Sequence, residues 1–369
     1  MTWMGKAQQI RRQNMKVNAV AGKLFSMLRE DGMRCCVLKG QGNALMYPNP
    51  YSRTPGDIDV WIDASRERIM EYAQKKFELE DDIRLQHLET SLDGVPVELH
   101  FFPCSMNNPI YHARLQKWFR RNADLQCSHI VRLPDGAGDI AIPTAAFNVI
   151  YQLTHLYHHF FDEGIGMRQI IDYFLVVNDF SKNVFLNNDL SNPSVSLSKG
   201  SSTAFPKPLS PQGTGDVTAL RCSEPLRYKD GGPSKVSPDC AEWDRLGVNG
   251  DTTSTALDVV QRELKYLGLW KFAGAVMYVL HEALGLPEEK MIAPMDEKRG
   301  KLLLAEILNG GNFGQHFTKY GHFTQQGMAK KYFLKIWRNM HFVRYFPAEA
   351  LSEPIFRTWH FFWRLKHRR

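Results

Sequence analysis

The sequence predicts an α+β fold: a small mixed β-sheet in the N-terminal part, followed by a mostly helical region. Three observations carry this reading. Up to about residue 142, short apolar runs bounded by glycine, proline and aspartate alternate with segments of helical period. From Pro143 the apolar spacing turns helical. Between 181 and 253 periodicity disappears and Ser, Pro, Gly, Asn and Asp crowd the chain, a composition that buries too little apolar surface to offset its ordering entropy. The expected organisation is an α+β domain over 1–142, a helical domain over 143–180 and 254–369, and a disordered or loosely draped insertion over 181–253.

Each element has a local reason. Ile10, Val17, Val20, Leu24 and Leu28 mark one face of a helix over 5–30, stopped by Asp31-Gly32. Cys35 to Leu38 reads as the first strand, and Gln41 to Tyr47 as a short helix ended by Pro48 and Pro50. A second strand runs from Asp57 to Ile62. The helix over 66–77 has Ser65 as its cap and Glu67 in the first turn, where the dipole favours an acid. Residues 83–88 and 95–102 read as a hairpin joined through Asp93-Gly94. A helix over 110–121, a strand over 128–133 and a turn over 134–138 complete the first domain. Thr144 can cap the helix that passes through Phe147, Ile150, Leu153 and Tyr157, and another spans 164–178. Helices resume over 256–267, 271–284 and 297–308, and Gly310 to Gly314 reads as a loop.

Composition bounds the function loosely. The 369 residues, 43% hydrophobic and 23% charged, suit a soluble globular chain of two domains. A net charge of +7 permits an anionic ligand such as a nucleotide or RNA without arguing for one. No apolar run approaches the roughly 20 residues of a membrane span, and the N-terminus lacks the apolar core of a signal peptide. The six cysteines show neither metal-ligand spacing nor a disulfide framework, so a cytoplasmic location is expected.

The chemistry is concentrated between Lys39 and His100. Strand side chains alternate faces, so Asp57 and Asp59 point the same way, with Ile58, Val60 and Ile62 flanking them. Two adjacent carboxylates repel, a divalent cation relieves the repulsion, and an oxygen-rich pair suits Mg2+ or Mn2+. Glu98 shares a strand face with His100, opposite Val97, Leu99 and Phe101. If that strand lies beside the aspartate strand, three carboxylates converge, the geometry of two-metal phosphoryl or nucleotidyl transfer. His100 then orients Glu98, touches substrate or acts as a base, or is simply satisfied by the neighbouring acid. His87 reads as an exposed pairing residue. Gly40, at a strand-to-helix turn after Lys39, can let the backbone approach a phosphate at the helix N-terminus. Arg53 either meets a nucleotide phosphate or pairs with Asp57 or Asp63. Gly56 suggests a close backbone approach or a sharp entry into the strand.

The order strand, Lys39-Gly40, helix, then Arg53-Thr54-Pro55-Gly56-Asp57-Ile58-Asp59-Val60, then a strand bearing Glu98-Leu99-His100, resembles the DNA polymerase β-type nucleotidyltransferase superfamily. Within it the similarity is to the bacterial branch of uncharacterised nucleotidyltransferases. The resemblance covers roughly 30–105, and a looser one continues through His155 to His158 and Gly164 to Asp172. It implies that Asp57, Asp59 and Glu98 are the catalytic metal ligands, for Mg2+ or Mn2+, and that Lys39-Gly40 lies under the triphosphate. Gln41, Arg53 and Gly56 complete the expected nucleotide-binding set. Two features depart from the superfamily's usual pattern: Lys39-Gly40-Gln41 stands where Gly-Ser or Gly-Gly is common, and the third acid is Glu98 rather than Asp.

In the helical half, His155, His158 and His159 have the i,i+3/i+4 spacing of metal ligands but no third ligand nearby in sequence. Hydrogen bonding between domains or contact with the acceptor substrate is the alternative. Arg168 either pairs with Asp172, four residues on, or reaches the nucleotide. From 326 to 369, Lys and Arg interleave with Trp337, Phe342, Phe346, Phe356, Trp359 and Trp363. This pattern serves inward packing, an anionic membrane surface or nucleic acid. The leading expectation is metal-dependent transfer of a nucleoside monophosphate from an NTP to an acceptor hydroxyl, with release of pyrophosphate. The acceptor, whether small molecule, protein or RNA, is not legible. Two alternatives belong to other classes: a nucleotide-binding regulatory module whose catalysis has decayed, and an adaptor that meets membrane or RNA through its C-terminus.

Overall fold

The computed structural model describes residues 3–79, 84–190, 255–311 and 328–367. Helix α1 (Trp3–Glu30) leads to β1 (Cys35–Val37), α2 (Gln41–Ala44), β2 (Ile58–Ile62), α3 (Arg66–Lys76), β3 (His87–Leu92) and β4 (Val95–His100). Helix α4 (Pro109–Ser128) and a separate two-stranded sheet of β5 (Ile130–Arg132) and β6 (Asp139–Ala141) follow. Among the described residues that follow, the elements are mainly helices: α5 (Ala145–Asp162), α6 (Met167–Leu190), α7 (Ala256–Tyr266), α8 (Trp270–Leu284), α9 (Glu297–Gly310), α10 (Met328–Met340) and α11 (Pro347–His367). Met1–Leu186 and Gly250–Arg369 form one compact unit, and the sites below lie within it. Helix α6 continues to Leu190, into the span expected as an insertion. The rest of that span, and residues 312–314 of the expected loop, lie outside the described residues. No described helix is long and apolar enough to cross a membrane.

The main sheet is mixed, in the order β1-β2-β4-β3, with β2 and β4 parallel and the outer pairs antiparallel. Asp93 and Gly94 both take positive φ (50° and 70°), the primed turn that matches strand twist. This two-residue turn fixes the hairpin register, setting Glu89 opposite Glu98 and His87 opposite His100. Strand β3 begins at His87 rather than at 83, because the Arg84 and Leu85 carbonyls accept hydrogen bonds from the Arg66 guanidinium (3.2 and 2.8 Å) instead of a ladder partner.

Two apolar cores sandwich the sheet. Ile58, Val60 and Ile62, with Val95, Val97 and Leu99, pack against α1 and α3. Burying each contributes on the order of 1.5–3 kcal/mol. A one-residue slip would drive the aspartates into this core, so the register is strongly specified. On the opposite face Trp61 stacks on Phe147 of α5 (6.2 Å, 9°), and Phe147 on Trp118 of α4 (4.5 Å, 12°). That stack anchors the start of α5, and helical steps of three or four residues then carry Tyr151, His155, His159 and Asp162 along the same side. Asn148 Nδ2 reaches Asn43 Oδ1 (3.2 Å), and Gln152 Nε2 reaches the Leu38 carbonyl (3.3 Å), tying α5 to the Lys39-Gly40 turn.

Candidate functional site

Strand alternation, confirmed by the two cores, puts Asp57 and Asp59 on the sheet face toward α5, and parallel pairing sets Asp59 opposite Glu98. The ligand oxygens of Asp57, Asp59 and Glu98 all lie within 4.8 Å of one another. They stand in a cleft of about 330 Å³ whose walls include Lys39, Gly40, Arg53, Gly56, Gln152, His155, His159, Asp162 and Arg168. The cleft joins the sheet to helices α5 and α6.

Two basic side chains hold the acids together. Lys39 Nζ lies 2.8 Å from Asp59 Oδ1 and 3.3 Å from His155 Nε2. His100 Nε2 lies 3.1 Å from both Asp59 Oδ1 and Glu98 Oε2. Burial opposes the charge on Asp59, but the Lys39 ammonium and the His100 hydrogen bond hold its carboxyl well below the usual range. Glu98 is likewise lowered, with burial outweighed by the His100 hydrogen bond. Asp57, at the exposed mouth, moves the other way: crowding by the cleft walls and the Asp59 charge raise it. Burial pulls Lys39 down, and Asp59 and Asp57 more than restore it, so it remains an ammonium. His100 is raised on balance, burial being outweighed by its bonds to Asp59 and Glu98. Burial and the Lys39 charge keep His155 neutral, well below the histidine range.

Gly40 takes φ 54° and ψ −105°, a conformation that L side chains rarely adopt, at the start of α2. Gly56 has open space where a Cβ would stand, so its role in the fold is not a close approach. Gln41 is not at the cleft. Its side chain is buried (3% exposed), and its amide donates to Asn18 Oδ1 of α1, because the first turn of α2 faces that helix. Arg53 pairs with neither Asp57 nor Asp63. Its guanidinium makes a bidentate pair with Asp172 of α6 (3.0 and 2.9 Å), which also accepts from Tyr47 Oη (2.6 Å). Asn14 of α1 fixes the same loop by donating to the Arg53 carbonyl (2.8 Å). Asp172 is thereby taken from Arg168, whose exposed side chain lines the cleft and forms no ion pair among the described residues. His155, His158 and His159 gather no metal-ligand group among the described residues.

Some cleft residues were not anticipated. His87, expected to be exposed, lies against Glu98 (3.6 Å) with its side chain only 12% exposed, and burial pushes its imidazole down to about 4. The Asp93-Gly94 turn held the signal, since a two-residue turn pairs 87 with 100. Arg84, which pairs with Glu89 (2.6 Å), and Asp162 also line the cleft. Asp162 is held by Lys335 of α10 (2.7 Å) and Arg357 of α11 (3.3 Å), so the C-terminal helices brace the far wall. From the turn between those two helices Phe342 and Phe346 enter the main core, Phe342 at 4.7 Å from Phe160.

The chain matches the family of uncharacterised nucleotidyltransferases over residues 1–191, just over half its length. It belongs to that family. Every residue named above as lining the cleft falls inside the matched span. Among solved structures, one similar chain is an antigenic nucleotidyltransferase-like protein from Paracoccidioides brasiliensis. It is 16% identical, with 44% of this chain and 75% of that one covered and a TM-score of 0.29. No curated protein matches this chain.

Proposed function

We propose that this protein moves a nucleoside monophosphate from an NTP to an acceptor hydroxyl, with release of pyrophosphate and dependence on Mg2+ or Mn2+. The observation that carries the reading is the convergence of Asp57, Asp59 and Glu98 in the cleft, one oxygen from each lying within 4.8 Å of the others. An all-carboxylate donor set, now balanced by Lys39 and His100, fits a hard divalent cation. Bound there, such ions would acidify the acceptor hydroxyl and offset phosphate charge. The chain's own residues supply the rest. Glu98 takes the acceptor proton and passes it to solvent. The acceptor oxygen bonds to the α-phosphorus as the bond to the bridging oxygen breaks, and pyrophosphate leaves with that electron pair. Lys39, the Gly40 backbone and Arg168 supply positive charge and donors to the phosphates. Arg53 acts at a distance, holding the loop before Asp57 through Asp172. The polymerase β-type resemblance belongs to this same reading.

The alternative of a decayed regulatory module is less well supported, since three acids and a protonated lysine all stand at the cleft. The deciding experiment measures pyrophosphate release from a panel of NTPs with Mg2+ or Mn2+ and a cell extract as acceptor source. Asp59→Asn should lower the rate by on the order of 10²–10³ or more, the scale of a lost transition-state contact. Release unaffected by that substitution would refute the reading.

A specific observation favours a further contact. After residue 311 the sequence holds two acids, Glu349 and Glu353, against eleven Lys and Arg, and both acids are buried at 1% exposure. Leu351, Ile355, Trp359 and Phe362 meanwhile form an exposed apolar stripe on α11. An apolar helix face in a basic segment free of exposed acid suits the surface of an anionic bilayer. Co-sedimentation with phosphatidylserine vesicles should exceed that with neutral vesicles and fall several-fold in Ile355→Asp. Equal binding to both vesicle types, or binding to RNA alone, would overturn it.

A further inference from the structure

We infer that His87, Glu98 and His100 form a nitrogen-containing metal site beside the aspartate pair, sharing Glu98 with it. The centre would then take a first-row divalent ion such as Mn2+ at this position in preference to Mg2+. The inference rests on the nucleotidyl-transfer reading only for what the ion does. Whether the ion binds there is a separate question.

Three observations lead to it. The first is register. Antiparallel pairing sets His87 opposite His100, and parallel pairing sets Asp59 opposite Glu98, so one sheet face presents imidazoles and carboxylates side by side. The ring centroids are 5.0 Å apart. The ligand atoms of His87, Glu98 and His100 all lie within 4.8 Å of one another, as do those of Asp57, Asp59 and Glu98. Glu98 belongs to both sets, so two adjacent ions would share it.

The second observation is the placement of His100. Its Nε2 lies 3.1 Å from an oxygen of Asp59 and 3.1 Å from an oxygen of Glu98. One nitrogen facing two carboxylates can offer a single proton between them. Ligand atoms about 3 Å apart are also the spacing along one edge of an octahedron with bonds near 2.1 Å. The triangle of one nitrogen and two oxygens is therefore already close to a coordinating geometry.

The third observation is His87. Both of its ring nitrogens are enclosed, and neither forms a hydrogen bond among the described residues. Its Nε2 stops 3.6 Å short of Glu98 Oε1 and of Glu89 Oε1. An enclosed polar atom without a partner is costly, and protein interiors seldom leave one. A cation between His87 and Glu98 would satisfy the nitrogen. Imidazole ligands suit first-row transition ions, whereas Mg2+ favours oxygen alone, which gives the site its selectivity.

The test loads the full-length protein with Mn2+ and reads electron spin echo modulation, which detects nitrogen bound to the ion without reference to activity. Wild type should show 14N coupling. His87→Asn and His100→Asn should each reduce it and weaken Mn2+ binding by about 10- to 100-fold, the range seen when a metal site loses supporting contacts. Because His100 is buried and its substitution can impair folding, His87→Asn, checked by thermal melting, carries the test alone if needed. Bound Mn2+ without 14N coupling would overturn the nitrogen site and leave the carboxylate site and the transfer reading intact. Coupling that persists unchanged in His87→Asn would also overturn it. Failure to bind Mn2+ at all would remove both readings. Coupling without pyrophosphate release would keep the site and remove the reaction.

Discussion

The ion pair between Arg53 and Asp172 joins residues 119 positions apart and gives a sharp test of how the cleft is assembled. Their side chains are 8% and 12% exposed, and two guanidinium bonds of 3.0 and 2.9 Å connect them. Breaking a buried pair from one side costs about 3–5 kcal/mol, because a charge is left without its counterion. Asp172→Asn keeps one acceptor for the guanidinium and for Tyr47, so its cost should sit near the lower bound, about 3 kcal/mol. Arg53→Met leaves the carboxylate with Tyr47 alone and should cost more. The double variant Arg53→Met/Asp172→Leu removes both charges and should recover at least about 1 kcal/mol relative to the sum of the single losses. Urea unfolding at constant m-value measures each term. A loss below about 1 kcal/mol for Asp172→Asn, or strict additivity in the double variant, would refute a structural pair and return Arg53 to the pool of free phosphate ligands.

Three further outcomes follow from the packing. Burial pushes the Glu349 carboxyl up to about 7, against the backbone N–H groups of Asn107 and Asn108, which lower it. The folded state therefore holds this proton more tightly than the unfolded state, and its stabilising contribution is lost as pH rises from about 4.5 to 7. Melting temperatures across that interval should fall with pH in wild type and more weakly in Glu349→Gln; an identical slope would contradict the assignment. Gly268 has φ 74°, and a Cβ there would meet the Tyr111 ring at 2.6 Å, whereas Gly285, at φ 67°, has open space. Gly268→Ala should thus destabilise by clearly more than the roughly 1 kcal/mol expected of Gly285→Ala, as read by thermal denaturation. Gly40→Ala forces an L residue into a strained conformation beside the acids, at a cost of about 1–3 kcal/mol. It should also weaken NTP affinity in a fluorescent-nucleotide titration, and wild-type affinity would count against Gly40 lying under the phosphates.

What the sequence revealed, and what it hid, divides by distance along the chain. Period-two alternation in Asp57 to Ile62 and Val95 to His100 was enough to place three acids on one face, because a slip would bury them. Helical periodicity found α5 and α8 to within a residue or two of their observed ends. Strand β6 (Asp139–Ala141) was too short to show a pattern and was read as part of no element. Gln41 was misplaced because nothing local reveals that α2 turns its first residue toward Asn18. The partner of Arg53 lies on α6, and the cations that hold Asp162 lie beyond residue 330, pairings that only the folded chain brings together. His87 differs from these: its place beside Glu98 follows from hairpin arithmetic through Asp93-Gly94, and assigning it to the solvent face overlooked that register.

Nucleotidyl transfer in this cleft requires a metal ion seated at the three carboxylates. A crystal of the full chain soaked with Mn2+ and a non-hydrolysable NTP, with diffraction recorded at a wavelength where manganese scatters anomalously, reads this directly. An anomalous peak should appear bonded to oxygens of Asp57, Asp59 and Glu98, with the triphosphate beside the Gly40 turn. Manganese bound only elsewhere, with Lys39 still seated on Asp59 while nucleotide fills the cleft, would contradict it.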